Sequence, residues 1–138
     1  MHNIKIRWAD SDMEMNNLAL IKKTLQATSL RQEVIASNIT NVNTDEYKRN
    51  QVDFESLLHD AKRGLSLNKT QPNHFGVGNI NDLKPSVTKV TDTIVKENGN
   101  NVDLDIEMVN LSQNALHYQA LISQLNSQYS RMATVISK

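Results

Sequence analysis

All four glycines of the chain (Gly64, Gly76, Gly78, Gly99) and both prolines (Pro72, Pro85) lie between residues 64 and 99. Within a helix, glycine costs about 1 kcal/mol and proline about 3 kcal/mol relative to alanine, so these are the residues that break helices. The flanks on either side contain neither. The order this imposes is helix, irregular middle, helix, within 138 residues that amount to a single domain's worth of chain.

The carboxy-terminal flank carries the strongest pattern. Leu104, Met108, Leu111, Ala115, Tyr118, Ile122, Leu125, Tyr129, Met132 and Ile136 recur at alternating spacings of four and three, and each is apolar or aromatic. That is a heptad seam, the signature of a helix packed along its length against another helix. At 1.5 Å rise per residue such a helix is roughly 50 Å long. Asp103, Asp105 and Glu107 supply negative charge where a helix begins, and Arg131 and Lys138 lie toward its other end. A different face carries small residues (Ser112, Ala120, Ser123, Ser127, Ser130, Thr134) that permit close approach of a further helix.

The amino-terminal flank predicts a helix from about Leu18 to Thr40, with Asn17 as N-cap and Asn41 or Asn43 as C-cap. It has two apolar stripes. Leu20, Ala27, Leu30 and Val34 form one, and Ile21, Leu25, Ile35 and Ile39 the other; at 100° per residue they are roughly 130° apart, which predicts neighbours on two sides. A shorter amphipathic helix is expected from about Asp53 to Arg63, through Phe54, Leu57, Leu58 and Ala61. Val87 to Val95 favours extended structure. Asn98-Gly99 is a two-residue turn signal, which predicts a hairpin from about Thr91 to Leu104. Residues 64–86 read as loop.

Nothing in the chain is arranged for catalysis. His2, His59, His74 and His117 are scattered, and no pair has helical ligand spacing. The zinc-protease, phosphate-loop and nucleophile-elbow motifs are absent, and Gly76-Val77-Gly78 lacks the Lys, Ser or Thr of a nucleotide loop. The carboxylates of VDLDIE are better accounted for by charge complementarity at a helix start than by a metal site. No cysteine is present, so no disulfide or thiolate site is possible. Lys and Arg number 15 against 15 Asp and Glu, interspersed, which argues against a nucleic-acid partner. The first residues lack the apolar core of a signal peptide, and no apolar run is long enough for a membrane helix. Neither a cofactor nor a small-molecule substrate is expected.

The stretch Leu30 to Leu58, LRQEVIASNITNVNTDEYKRNQVDFESLL, resembles the amino-terminal signature of the flagellar rod and hook proteins. The residues that carry it are Ala36-Ser37-Asn38, Asn41, Asn43-Thr44, Tyr47 and Lys48. The stretch NGNNVDLDIEMVNLSQNALHYQALISQLN is similar to the matching carboxy-terminal end. Within the family, VDFESLL and NALHYQAL resemble the proximal-rod branch, and the absence of a large insertion argues against the longer distal-rod and hook branches. One departure stands out. Family members commonly have Pro-Gly where this chain has Asp45-Glu46, so the turn after the first helix lacks its usual residue for positive φ; Asn43, which tolerates the left-handed region, is a candidate to supply that freedom.

The resemblance implies a mainly α fold: long terminal helices pairing as an antiparallel coiled coil, with a short helix and an irregular or β-hairpin middle segment. Residues 1–63 and 104–138 would be two arms of one axial domain, and 64–103 the middle. It implies a structural subunit of the hollow rod, which transmits torque and conducts exported subunits. The implied partners are other rod subunits and copies of itself, the basal-body membrane ring with its rod adapter, and the flagellar type III export apparatus. Export would proceed without a cleaved signal, to the periplasmic rod. The expected assembly interface comprises Leu20, Ile21, Leu25, Leu30, Val34, Ile35, Asn38, Asn41, Asn43 and Tyr47 with Leu104, Met108, Leu111, Tyr118, Ile122, Leu125, Tyr129, Met132 and Ile136. The asparagines at the end of helix one either cap it locally or also meet neighbours. Two other readings stand beside this one: another rod subunit, such as the middle rod protein, and a cytoplasmic helical-hairpin adaptor that binds one partner helix.

Overall fold

In a computed structural model the chain is described over residues 2–59, 83–91 and 96–136, with side chains described over 16–59, 83–91 and 96–134. Helix α1 spans His2–Thr40 and strand β1 spans Asn50–Asp53. Residues 55–59 form a short helix, α2. Strand β2 spans Ser86–Lys89 and helix α3 spans Leu104–Ile136. The fold is mainly helical, with the two long helices packed on each other, as the breaker-free flanks imply.

α1 is longer than its sequence pattern indicated. It begins at His2, and Asn17 lies inside it as an exposed helical residue rather than at a cap. The physical reason is that residues 2–17 contain no Gly or Pro, and one asparagine does not stop a helix that has no breaker to reinforce it. The other end is as expected: the Asn41 side chain donates to the Ser37 carbonyl at 2.8 Å, and its backbone N–H bonds the Ser37 and Asn38 carbonyls at 3.1 Å. At the start of α3, Asp103 Oδ1 accepts from the N–H groups of Asp105 and Ile106 at 2.9 and 3.3 Å, a side-chain N-cap.

Both stripes of α1 find neighbours within the chain. Ala27 packs with Phe54 and Leu83 in a buried cluster flanked by Leu57 and Leu58. On the other side Ile21, Thr28 and Ile35 are buried, and the Thr28 carbonyl accepts a bond from Asn114 of α3. The two-sided character of α1 is thus met in part by α3 and in part by Phe54 and Leu83, not by other molecules alone.

The middle segment does contain an antiparallel strand pair, but not between the expected residues. β1 pairs with β2 in the register Asn50↔Lys89, Gln51↔Thr88, Val52↔Val87 and Asp53↔Ser86. The extended tendency of Val87–Val95 is therefore realised at its start, with residues before α2 as the partner. Asn98-Gly99 forms a turn, closed by Lys96 N–H to the Asn100 carbonyl at 2.8 Å and Gly99 N–H to the Lys96 carbonyl at 2.9 Å, but no hairpin strand follows it among the described residues. The side chains of Asn100 and Asn101 take up backbone groups there instead. Residues 60–82 and 92–95, which cover most of the expected loop, the end of the expected second helix and part of the expected hairpin, lie outside the described residues.

The departure at Asp45-Glu46 has a measurable consequence. Among the described residues Glu46, not Asn43, is the non-glycine residue with positive φ, at +58°. Its N–H donates to the Asn98 carbonyl at 2.9 Å, and Gly99, at φ +79°, sits directly against it. A left-handed conformation costs a side-chain-bearing residue about 1–2 kcal/mol, partly offset by the greater freedom that glycine loses on folding. Glu46→Gly is expected to stabilise the chain by about 0.5–1 kcal/mol. Gly99→Ala should do the reverse, because a Cβ there would lie 3.3 Å from the Glu46 Cα. Urea midpoints of the two variants should move in opposite directions.

Candidate assembly interface

The end of α1, β1 and the start of α3 meet in a corner built from polar side chains. Asn38 is fully buried. Its amide pairs with the backbone of β1: Nδ2 donates to the Asn50 carbonyl at 2.8 Å, and Oδ1 accepts from the Asn50 N–H at 2.9 Å. The side chain thus occupies the place of a neighbouring strand. Nδ2 also donates to Glu107 Oε2 at 3.1 Å, and the Tyr47 hydroxyl donates to Oδ1 at 3.1 Å. Asn50 Nδ2 donates in turn to the Tyr47 oxygen at 3.1 Å.

Glu107 is the charged member of the corner. Its side chain is 0 % exposed and pairs with the Arg49 Nε at 2.5 Å. A carboxylate this deep must be paired and hydrogen-bonded to be tolerated, and between them Arg49 and Asn38 occupy both of its oxygens. The Asn98–Asn101 turn completes the joint. Asn100 Nδ2 donates to the carbonyls of Asn41 and Thr44 at 2.9 and 2.8 Å, satisfying the end of α1. Asn101 Oδ1 accepts from the Arg49 N–H at 2.6 Å, while its Nδ2 donates to the Val90 carbonyl at 2.8 Å. Lys48 Nζ donates to the Gly99 carbonyl.

From this corner the two long helices run back along each other in opposite directions, Asn38 level with Glu107 and Thr28 level with Asn114. The residues of α3 turned inward are Glu107, Asn114 and Leu121 (0, 4 and 8 % exposed), with Leu111, Leu125, Gln128 and Met132 half-buried beside them. In heptad terms Leu104, Leu111, Tyr118, Leu125 and Met132 occupy one row, a, and Glu107, Asn114, Leu121 and Gln128 the next, d. The sequence reading paired row a with Met108, Ala115, Ile122 and Tyr129, row e. The intramolecular seam instead uses rows a and d. Three of the four d residues are polar, which hides that row from a pattern based on apolar residues.

Row e is consequently left outside, with Met108 50 % and Tyr129 44 % exposed, Ala115 exposed and Ile122 half-buried. Ile106, Val109 and Leu116 extend the exposed apolar surface over the first half of α3, Leu116 being 68 % exposed. Leu104 and Tyr118 sit between the two faces, partly open. The small residues Ser112, Ala120, Ser123, Ser127, Ser130 and Thr134 are all on the exposed side.

The other expected interface residues divide by depth. Ile21, Val34, Ile35 and Asn38 are buried in the chain's own core. Leu20, Leu25, Leu30, Asn41 and Tyr47 are half-buried, and Asn43 is exposed. The Ile136 side chain lies outside the described residues. Arg49, Asn50, Asn100, Asn101, Glu107 and Asn114 were not singled out as interface residues, yet they tie the arms together. The available signal was the NGNN run, whose asparagines serve as caps for distant carbonyls as well as turn formers.

A groove of about 460 Å³ lies between α1, β1 and α3, lined among others by Arg31, Arg49, Glu55, Glu107 and His117. Arg31 places one nitrogen 2.7 Å from both Glu55 oxygens. Partial burial pushes the Glu55 carboxyl up, but the hydrogen bonds and charge of Arg31, together with backbone N–H groups at Glu55 and Phe54, outweigh it and hold it below its ordinary value. Among the described residues no cluster of His, Asp or Glu is placed to hold a metal ion, and no helix is long and apolar enough to cross a membrane.

Residues 22–48, the end of α1 and its turn, match the family model described as "Flagella basal body rod protein". Across the whole chain, the flagellar basal body rod protein FlgB of Bacillus subtilis is 35% identical over 117 residues, covering 85% of this chain and 90% of that protein. FlgB of Borrelia hermsii is 37% identical over 127 residues, covering 86% and 93%. The chain belongs to the FlgB family of flagellar basal body rod proteins. FlgB of Escherichia coli, at 30% identity over 83% of this chain and 88% of that protein, is similar along the same span. As a FlgB-type chain it is a structural subunit of the proximal rod and not an enzyme. The middle-rod and adaptor readings are set aside by the same likeness. The span matched by the family model ends at Lys48 and includes Asn38, Asn41 and Tyr47, so much of the family signature builds the corner.

Proposed function

We propose that this subunit enters the rod with its α1–α3 pair already set by the polar corner, and that the outer face of α3 makes the contact with neighbouring subunits. The observation that carries this is the apolar surface left outside the intramolecular seam: Met108, Val109, Leu116 and Tyr129, each at least 44 % exposed and spaced along one side of a single helix. Apolar residues in heptad rows are fitted to another helix, so the partner is a helix of the same periodicity, from a second copy or from another rod subunit. Leu104 and Tyr118, at the boundary between the two faces, would join that contact, and Asn43, exposed at the end of α1, is free to meet a neighbour. Buried Ile21, Val34, Ile35 and Asn38 would act through the fold rather than by touching a neighbour.

In the assembled structure the subunit would line a hollow shaft that transmits torque and conducts exported subunits. It would sit at the base, on the membrane ring and its rod adapter, having passed through the type III export apparatus without a cleaved signal. The family likeness supports assembly with other rod components; these further partners are part of the proposal. Leu116→Asp tests the contact. Because Leu116 is 68 % exposed, the change should alter the stability of the isolated chain by no more than about 0.5 kcal/mol. It should nonetheless abolish rod assembly and motility, since a charge would be buried at the contact. Normal motility in the variant would remove this face from the interface.

A further inference from the structure

The seam poses a question of choice. Row e of α3 (Met108, Ala115, Ile122, Tyr129) is apolar throughout, whereas row d (Glu107, Asn114, Leu121, Gln128) is mostly polar, yet α1 covers row d. Burial of apolar area alone favours the opposite outcome. Turning α3 by about 50° about its own axis would exchange one row for the other.

Away from the corner, a polar layer crosses the seam. Asn114 is 4 % exposed. Its Nδ2 donates to the Thr28 carbonyl at 3.0 Å and to Gln32 Oε1 at 2.9 Å. Its Oδ1 is buried without a hydrogen-bond partner. An amide kept in a helix seam with half its capacity unused is costly, and the best-attested return on such a cost is specification of how helices pair. Glu107 does the equivalent at the corner, one heptad away.

We infer that the Asn114–Gln32–Thr28 layer is a positioning device that sets the rotation of α3 on α1, keeping the apolar row e outside. What the free row is for rests on the neighbour contact proposed above; the rotation itself does not. Removing both side chains of the layer together, in Gln32→Ala/Asn114→Ala, leaves no side-chain partner stranded; the Thr28 carbonyl loses only its bond from Asn114. The distal half of α3 should then turn toward burial of row e.

The chain has no cysteine, so a single introduced thiol reports without background. Gln128→Cys on row d and Tyr129→Cys on row e are compared for labelling rate in the full-length isolated chain, with and without the double substitution. With the layer intact, the Tyr129→Cys thiol should label faster than the Gln128→Cys thiol, following their exposures. Without it, the ratio of the two rates should reverse. An unchanged ratio in a chain that keeps its helical circular dichroism overturns the inference. So do two uniformly fast rates, which would mean that the layer only holds the helices together. Failure in the isolated chain leaves the neighbour contact standing, because that is tested by assembly of Leu116→Asp.

Discussion

Replacing Glu107 with alanine is expected to destabilise the isolated chain by about 3–5 kcal/mol, enough to unfold a marginal domain of this size. The carboxylate is fully buried and is held by Arg49 and Asn38. Its removal leaves the Arg49 guanidinium, 23 % exposed at the side chain, facing a cavity without its counter-charge. The loss measures a stranded partner, not the net worth of the pair. Arg49→Met with Glu107→Leu, which removes both charges and fills the space, should therefore recover most of the stability. Urea unfolding of the two single variants and the double one gives the coupling directly. If Glu107→Ala unfolded at the midpoint of the parent chain, the ion pair would not be holding the corner.

Asn38→Ala is expected to cost about 3–4 kcal/mol, from three or more bonds at about 1 kcal/mol each plus the desolvated groups left unpaired. The Asn50 N–H and C=O would lose the amide that stands in for a strand, and Glu107 would lose a donor. Asn38→Asp is a sharper probe. It keeps an acceptor for the Asn50 N–H and the Tyr47 hydroxyl, but it sets a second carboxylate beside Glu107. It should be at least as damaging as alanine near neutral pH, because two close carboxylates disfavour each other's charged form. Asn38→Asp unfolding at the parent midpoint would show that the amide does not bridge β1 and α3 as described.

Much of this molecule can be read in its sequence because helices announce themselves locally. The confinement of Gly and Pro to residues 64–99 marks out both long helices, and the apolar recurrence along α3 shows that it packs lengthwise. The asparagine at the end of α1 also reads correctly as a cap. The choice of seam does not, since Glu107 and Asn114 are buried through bonds to residues 69 and 86 positions away. No local pattern records such pairings. The extended tendency of β2 is legible in Val87–Val95, but its pairing is not: Asn50–Asp53 is too short and polar to announce a strand, and its partner lies more than 30 residues further along the chain. For the left-handed residue the sequence points to the right turn, but offers Asn43 only as a candidate. It is Glu46 that takes the left-handed conformation.

The most direct test of the account is cross-linking through the outer face of α3 in assembled rods. Met108→Cys and Leu116→Cys, each the only thiol in the chain, would be introduced into cells and the basal bodies isolated. Ser56→Cys, exposed on α2, serves as a control away from the face. A short thiol-to-amine linker is expected to join the Met108→Cys and Leu116→Cys chains to a neighbouring rod subunit, and these thiols should label far more slowly in the rod than in the free chain. Labelling as fast in the rod as in the free chain, with no cross-linked product, would show that this face looks onto open space and that the subunit is held by some other surface.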